Sequence, residues 1–385
     1  MKSILNYLGG YFRHIDKILP ILCIGLTVFS IFLTNTMTYD TMASAIKQGD
    51  VNVKTQIAAG ILGISIALII SLINYKFIAK MWFIYAPIAV ILQMLLFIPS
   101  LAIKRDDDSA WLNLGFITIQ PSEILKFAFI LTIAAHINKL GDKLNSPKHL
   151  LPLLAHGLFP VGLIIIQGDA GSALVFLFIF VCMLFMAGIS WKYLAAGAAA
   201  IPPILYVAWN FIMKDHHRQR FLILFDKEMQ EAERRNKFYQ QYNGRMALGS
   251  GQLRGLGFNA DNYTYIPEGR NDYIFSYIGM TFGFIGCMIV VIALAVLCLK
   301  LLSDASGAQD MLGRMICVGV FAMVFFHCIV NIGMVLCVTP VIGIPLPFVS
   351  QGGTAMLMMH ACIGLVLSVT AHREKAKHMF YTEKD

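Results

Sequence analysis

The stretch RMALGSGQLRGLGFNADNYTYIPEGRNDYIFSYIGMTFGF, residues 245–284, decides how this chain is read. Its first half is polar and rich in glycine. From Tyr273 onward it becomes an apolar run. Two acids, Glu268 and Asp272, sit at the join, with Arg270 between them. In a chain this apolar, such a join is where chemistry in water meets a molecule held in lipid. The remainder then reads as a scaffold that carries Asp272 at a membrane surface.

The composition sets the class. The 385 residues are 58% hydrophobic and only 14% charged, with a mean hydropathy of +0.70. A soluble protein of this length has no core large enough for that, so the prior of two or three soluble domains gives way to a membrane reading. The net charge of +8 does not point to nucleic acid, because the basic residues lie at the ends of apolar runs and form no patch. The eight cysteines all fall within or beside apolar runs, and no CxxC pair occurs. They read as small buried hydrophobes, neither a disulfide framework nor a metal site.

A bilayer span needs about 20 mostly apolar residues. Ten runs qualify, near 18–36, 56–74, 82–103, 121–137, 150–167, 171–188, 194–213, 273–300, 313–337 and 351–371. The first is too long for a signal-peptide core and lacks a small-residue cleavage pattern. The expected fold is an all-α integral membrane protein, a single polytopic domain over 1–385, with a large loop of about 214–272 between spans seven and eight. Lys76, Lys80, Lys139, Lys143, Lys148, Lys192, Lys300, Arg314, Arg373, Lys375 and Lys377 fall on one side of that arrangement, with the N-terminus. Lys and Arg mark the cytoplasmic side, so both termini are expected inside and the long loop outside. Lys47, Lys54, Lys104 and Arg105 run against the bias. Within the loop, 214–245 is charged and helix-compatible, and 246–272 reads as irregular and flexible.

Four short clusters face each other on the outer side. The first is Trp111-Leu-Asn-Leu-Gly115 followed by Gln120-Pro-Ser-Glu123 and Lys126. Pro121 and Glu123 suit a helix start. Lys126 does not: a lysine inside an apolar span is costly and needs a partner, with Glu123 the near choice and Asp169 a distant one. The second is Gly168-Asp-Ala-Gly171, in which Asp169 also suits an ordinary helix cap. The third is the opening stretch. The fourth runs from Asn331-Ile-Gly-Met334 to Thr339-Pro-Val-Ile-Gly-Ile-Pro-Leu-Pro-Phe-Val-Ser-Gln-Gly-Gly353, whose three prolines forbid a regular helix. Non-helical backbone at membrane depth is tolerated where protein or a watery cavity surrounds it.

Together these clusters, in order from Trp111 to Gly353, resemble the SEDS family (shape, elongation, division and sporulation). The residues that carry the resemblance are Trp111, Gln120 to Glu123, Lys126, Asp169 and Gly171, the glycine run Gly249 to Gly257, Pro267-Glu268 to Asp272, Gly283 to Gly286, Asn331 to Met334, and Gly343 to Gly353. His327 and the short length place the chain nearer the RodA branch. Ala110 stands where the family usually carries Arg before the Trp, which leaves Lys104 and Arg105 as the nearest cations.

The resemblance implies a peptidoglycan glycosyltransferase of the bacterial inner (cytoplasmic) membrane. It would polymerise lipid II, on its undecaprenyl pyrophosphate carrier, with a class B penicillin-binding protein as partner and no nucleic acid. Asp272 is then the catalytic base that takes the proton of the acceptor sugar hydroxyl. Trp111, Glu123, Lys126, Asp169, Arg245, Arg254, Glu268, Arg270, Asn331 and Ser350 are candidate substrate-binding residues, the cations neutralising the pyrophosphate leaving group. A divalent cation is compatible with that chemistry, but no ligand cluster demands one, and no metal residue is assigned. The alternative is a flippase or transporter of the same lipid-linked precursor, since polar residues in spans also mark transport pathways. The chain shows no convincing internal repeat of the kind transporters often carry.

Overall fold

The computed structural model describes residues 16–39, 53–105, 108–115, 118–213, 215–236, 238–258 and 263–373. Each of the ten apolar runs holds one helix. These are α1 (Ile18–Tyr39), α2 (Val53–Leu72), α4 (Trp82–Met94), α5 (Pro121–Leu140), α6 (Pro147–Ile166), α7 (Ala170–Met186), α8 (Trp191–Val207), α12 (Ile274–Ser306), α13 (Met311–Val335) and α14 (Gly353–Ala371). Among the described residues eight are long and apolar enough to cross a membrane, and Trp82–Phe97 and Ala170–Met186 are shorter apolar helices. A lipid environment offers no partner for backbone N–H and C=O groups, so each segment must satisfy its own by coiling. The protein is an all-α, multi-pass membrane protein.

Two expectations from the sequence need correction. The sequence extends the third run to 103, but its helix ends in a 3₁₀ turn at Leu95–Phe97. A small antiparallel sheet follows: β1 (Ala102–Arg105), β2 (Asp108–Asn113) and β3 (Thr118–Ile119), in the order β1-β2-β3. Trp111 lies on β2 opposite Ile103. The eighth run is also not one straight helix. α12 is broken at Gly283, whose φ of 67° and ψ of −163° belong to backbone that only glycine adopts readily.

The core is built by α5, α7, α12, α13 and α14, whose buried residues form one continuous apolar cluster. α14 lies closely along α2, and a Cβ on Gly364 would meet the backbone of Ala67 at 2.7 Å. α8 buries none of its residues and stands at the periphery. Between α8 and α12 the chain forms three short helices, α9 (Asp215–Leu222), α10 (Lys227–Ala232) and α11 (Tyr239–Ser250). A short helix α3 (Tyr75–Lys80) joins α2 to α4.

The end of the bundle that carries the basic loops is tied by charge. Asp310 caps α13 through Gly313 and receives the Lys76 ammonium at 2.9 Å and the Tyr75 hydroxyl at 2.9 Å. Burial alone would raise the Asp310 carboxyl, but these donors hold it below the usual carboxylate range. Lys300 bridges Asp16 and Asp304, and Arg373 reaches Asp304 at 3.4 Å. Lys375 and Lys377, with the basic N-terminus and Lys47, lie outside the described residues.

Candidate active site

The site is assembled at the opposite end, where α5, α7, α12 and α14 begin and α13 ends. Its foundation is the break in α12. Breaking a helix orphans carbonyls on one side and amides on the other, and buried backbone groups must be paired. The glycine-rich segment supplies the partners. Leu256 N–H donates to Met280 O at 2.9 Å and Gly257 N–H to Thr281 O at 3.1 Å. In return Phe284 N–H donates to Gln252 O at 2.8 Å and Ile285 N–H to Leu253 O at 3.2 Å. The fit allows no side chain at the contact: a Cβ on Gly251 would collide with Gly279 O, and one on Gly255 with Thr281 O. The sequence reads 246–272 as irregular and flexible, but the stretch 251–257 is not loose. It is a backbone plug, locked into the helix it precedes.

That plug holds the first part of α12, where every residue from Ile274 to Thr281 is buried. The chain just before it is clamped as well. Three successive carbonyls accept hydrogen bonds from the fourth sequence cluster. Arg270 O accepts from Gln351 N–H at 2.9 Å, Asn271 O from the Ser350 hydroxyl at 2.5 Å, and Asp272 O from Asn331 Nδ2 at 2.7 Å. The second hydrogen on Asn331 Nδ2 goes to Ile344 O at 2.8 Å, and Ser350 Oγ accepts from Leu346 N–H at 2.8 Å. Asn331 is fully buried and Ser350 nearly so. The Asp272 carboxylate is half-buried, and its Oδ2 lies beside Gly343, 3.7 Å from where a Cβ there would stand. The α12 N-cap is Tyr273, which makes no side-chain cap bond. The backbone at Asp272 is therefore held by three long-range contacts, and its side chain meets the proline-rich loop.

The cluster around Lys126 reaches the same loop. Lys126 Nζ donates to Glu123 Oε1 at 2.7 Å and contacts His327 Nε2 at 3.2 Å. On its other side His327 Nδ1 lies 3.1 Å from Pro345 O. A carbonyl can only accept, so Nδ1 carries the proton and Nε2 is the bare nitrogen that takes a hydrogen from the ammonium. Glu123, Lys126 and His327 are all buried, at 3%, 1% and 1% exposure. The distant partner of Lys126 is therefore His327, not Asp169.

Asp169 is used as a cap: its Oδ1 accepts from Ser172 N–H at 2.9 Å. Its turn still belongs to the site. Gly171 packs so tightly under Ile342 O that a Cβ would collide with it. The β-sheet joins the same turn through Ser109 N–H to Gln167 O at 3.2 Å, which places half-buried Trp111 on that side. Ala110 is buried, and the side chains of Lys104 and Arg105 lie outside the described part.

The cations are arranged unevenly. Arg245 is exposed on α11 and reaches the Cys337 thiol, while Arg270 and exposed Glu268 both act on Tyr265. The Tyr265 hydroxyl is pushed up, by partial burial first and then by Tyr239 and Glu268, against the pull of Arg270. Arg254 is exposed on the plug that pairs with the broken helix. Sequence reasoning missed Arg220, whose Nη1 lies 3.4 Å from Val341 O, and Gln351, which acts through its backbone. Nothing local marks either one. In the sequence His327 reads only as a branch marker, and a histidine inside an apolar helix is the available signal. Among the described residues no group of three or more His, Cys, Asp or Glu side chains could hold a metal ion.

Fold and site together define a polytopic membrane protein that clamps the backbone at a half-buried aspartate, at one end of its helix bundle, with arginines on the loops around it. The particular family is also fixed. The cell cycle protein family of FtsW, RodA and SpoVE matches residues 17–375, and the chain belongs to it. The chain is 32% identical over 269 residues to the peptidoglycan glycosyltransferase MrdB of Escherichia coli K12, covering 69% of this chain and 71% of that protein. It is 28% identical over 360 residues to a probable peptidoglycan glycosyltransferase FtsW of Trichlorobacter lovleyi, covering 92% and 93%. Two solved structures share the fold. A chain of a peptidoglycan synthase complex, solved for the coordination of polymerization and crosslinking, superimposes with a TM-score of 0.76 at 22% identity, over 94% of this chain and 99% of that one. The rod shape determining protein RodA of Thermus thermophilus does so with a TM-score of 0.67 at 22% identity, over 94% and 98%.

Proposed function

We propose that this chain is a peptidoglycan glycosyltransferase that polymerises lipid II by inverting transfer, with Asp272 as general base. The observation that carries the proposal is the clamp on three successive carbonyls at 270–272. A general base must be held within hydrogen-bond reach of the proton it removes, and this one is fixed by buried contacts from two other elements. Asp272 takes the proton of the acceptor hydroxyl as that oxygen attacks the anomeric carbon. The bond from the anomeric carbon to the pyrophosphate breaks on the opposite face, and the lipid pyrophosphate leaves with its electron pair. Arg220, Arg245 and Arg270 supply positive charge around the loops that face Asp272, which stabilises the developing pyrophosphate charge. Glu123, Lys126 and His327 hold the proline-rich loop from within the membrane. Trp111 and Asp169 line the adjoining wall, and Arg254 acts at the plug.

The fold match to a peptidoglycan synthase complex supports a crosslinking partner, and a class B penicillin-binding protein is the one proposed here. The Lys/Arg asymmetry supports cytoplasmic termini, the Asp272 face outside, and residence in the bacterial inner membrane.

The test is polymerisation of purified lipid II, with and without the partner. Asp272→Asn keeps the backbone clamp but cannot accept the proton. It should fold, bind the partner and lose on the order of 10²–10⁴ in rate. Near-normal glycan synthesis by that variant would move the base elsewhere, with Glu268 next. Precursor transport by a wild-type chain that makes no glycan would favour the flippase.

A further inference from the structure

Away from the clamp, a cavity of about 490 Å³ opens between α4, α5 and α6. It follows α5 from Leu125 to Lys139, a run of roughly 21 Å at 1.5 Å per residue. That is about two thirds of the ~30 Å hydrocarbon thickness of a bilayer. Alanines at 128 and 135 keep it open along its length, and Trp82, Phe129 and Phe159 give it apolar walls. Its chemistry changes at one end only. There Lys139 is exposed, and His136 and His156 face each other with Nδ1 atoms 3.2 Å apart. One ring must donate across that contact and the other accept. The accepting ring then carries its own proton on Nε2, so the pair keeps an N–H for an anion. Trp82, the first residue of α4, lies at the same end, the depth at which tryptophan marks a membrane–water interface. Among the described residues no carboxylate forms an ion pair with Lys139.

A long, narrow apolar slot with cationic and N–H donors at an interfacial mouth has the form of a lipid site. Its charged mouth is separate from the Asp272 site, because Lys139 is at the far end of α5 from Glu123. We propose that the cavity holds one acyl chain of an anionic glycerophospholipid from the leaflet opposite Asp272. Its phosphate would lie between Lys139 and the His136–His156 pair. Charge complementarity selects that occupant over zwitterionic lipid. On the orientation proposed above, this is the cytoplasmic leaflet.

The test reads lipid retention in detergent, so it depends neither on orientation nor on polymerisation. Its failure therefore leaves the glycosyltransferase reading intact. The purified full chain is offered phosphatidylglycerol, phosphatidylethanolamine and undecaprenyl phosphate in equal amounts, and bound lipid is counted by native mass spectrometry. The expected result is preferential retention of phosphatidylglycerol. Lys139→Gln should lower that retention about fivefold, the change expected for one lysine near an anionic headgroup. Ala135→Phe should lower it by filling the slot. If Ala135→Phe does not fold, Lys139→Gln, at an exposed position, still decides. Equal retention of phosphatidylglycerol and phosphatidylethanolamine, or an unchanged preference in Lys139→Gln, would overturn the proposal. Preferential capture of undecaprenyl phosphate would also overturn it and make the slot a polyprenyl-tail site.

Discussion

Replacing Lys126 by methionine removes the cation that the structure places between Glu123 and His327. All three side chains are buried, so water cannot compensate. Glu123 loses a charge-assisted bond of 2.7 Å, and His327 Nε2 loses its donor. Breaking a buried pair by removing one partner costs about 3–5 kcal/mol. Orphaning a buried acceptor costs about 1–3 kcal/mol. These overlap, because Glu123 and His327 share the one donor that is lost, so the net loss expected is about 3–5 kcal/mol. Thermal unfolding in detergent should show a fall in Tm of several degrees, with a lower folded yield. The double variant Glu123→Gln, Lys126→Met removes both charges and should recover most of the loss. Glycan synthesis should fall in the single variant, because His327 also holds Pro345 O in the loop facing Asp272. A Tm within about one degree of wild type for Lys126→Met would refute the reasoning, since it would mean the ion pair is solvated.

Two further outcomes test the clamp and the plug. Asn331→Asp keeps the shape but removes both donors to Asp272 O and Ile344 O, and it sets acceptor against acceptor; polymerisation should drop at least tenfold while membrane insertion persists, as read by glycan sizing beside gel filtration. Gly283→Ala forces an L side chain into backbone that costs on the order of 1–3 kcal/mol and meets the plug at Gly255, so the variant should lose stability and show faster proteolysis at 251–258.

The ten apolar helices were legible in the chain because span length and composition are local properties, and a bilayer leaves the backbone no other choice. The Glu123–Lys126 pair was legible for the same reason, being three residues apart on one helix. The motifs at 111–126, 168–171, 245–272 and 331–353 marked the region of the site, and their order along the chain pointed to the family. How they meet was not legible. Asn331 holds Asp272 across 59 positions, Ser350 holds Asn271 across 79, and His327 reaches Lys126 across 201. Such contacts depend on how helices pack, and the residues around each partner carry no trace of it. Glycines at 251, 255 and 283 were visible as glycines, but a flexible loop and a tight backbone plug call for the same residue. Only the paired carbonyls and amides of the broken helix separate the two. The short sheet at Trp111 escaped for a related reason, since strands of two to six residues are too brief to show an alternating pattern. The sequence by itself determined the membrane class, the spans and the candidate carboxylate; the tertiary structure decided what holds the backbone that carries it, because fixing that backbone takes hydrogen bonds between parts of the chain that only folding brings together.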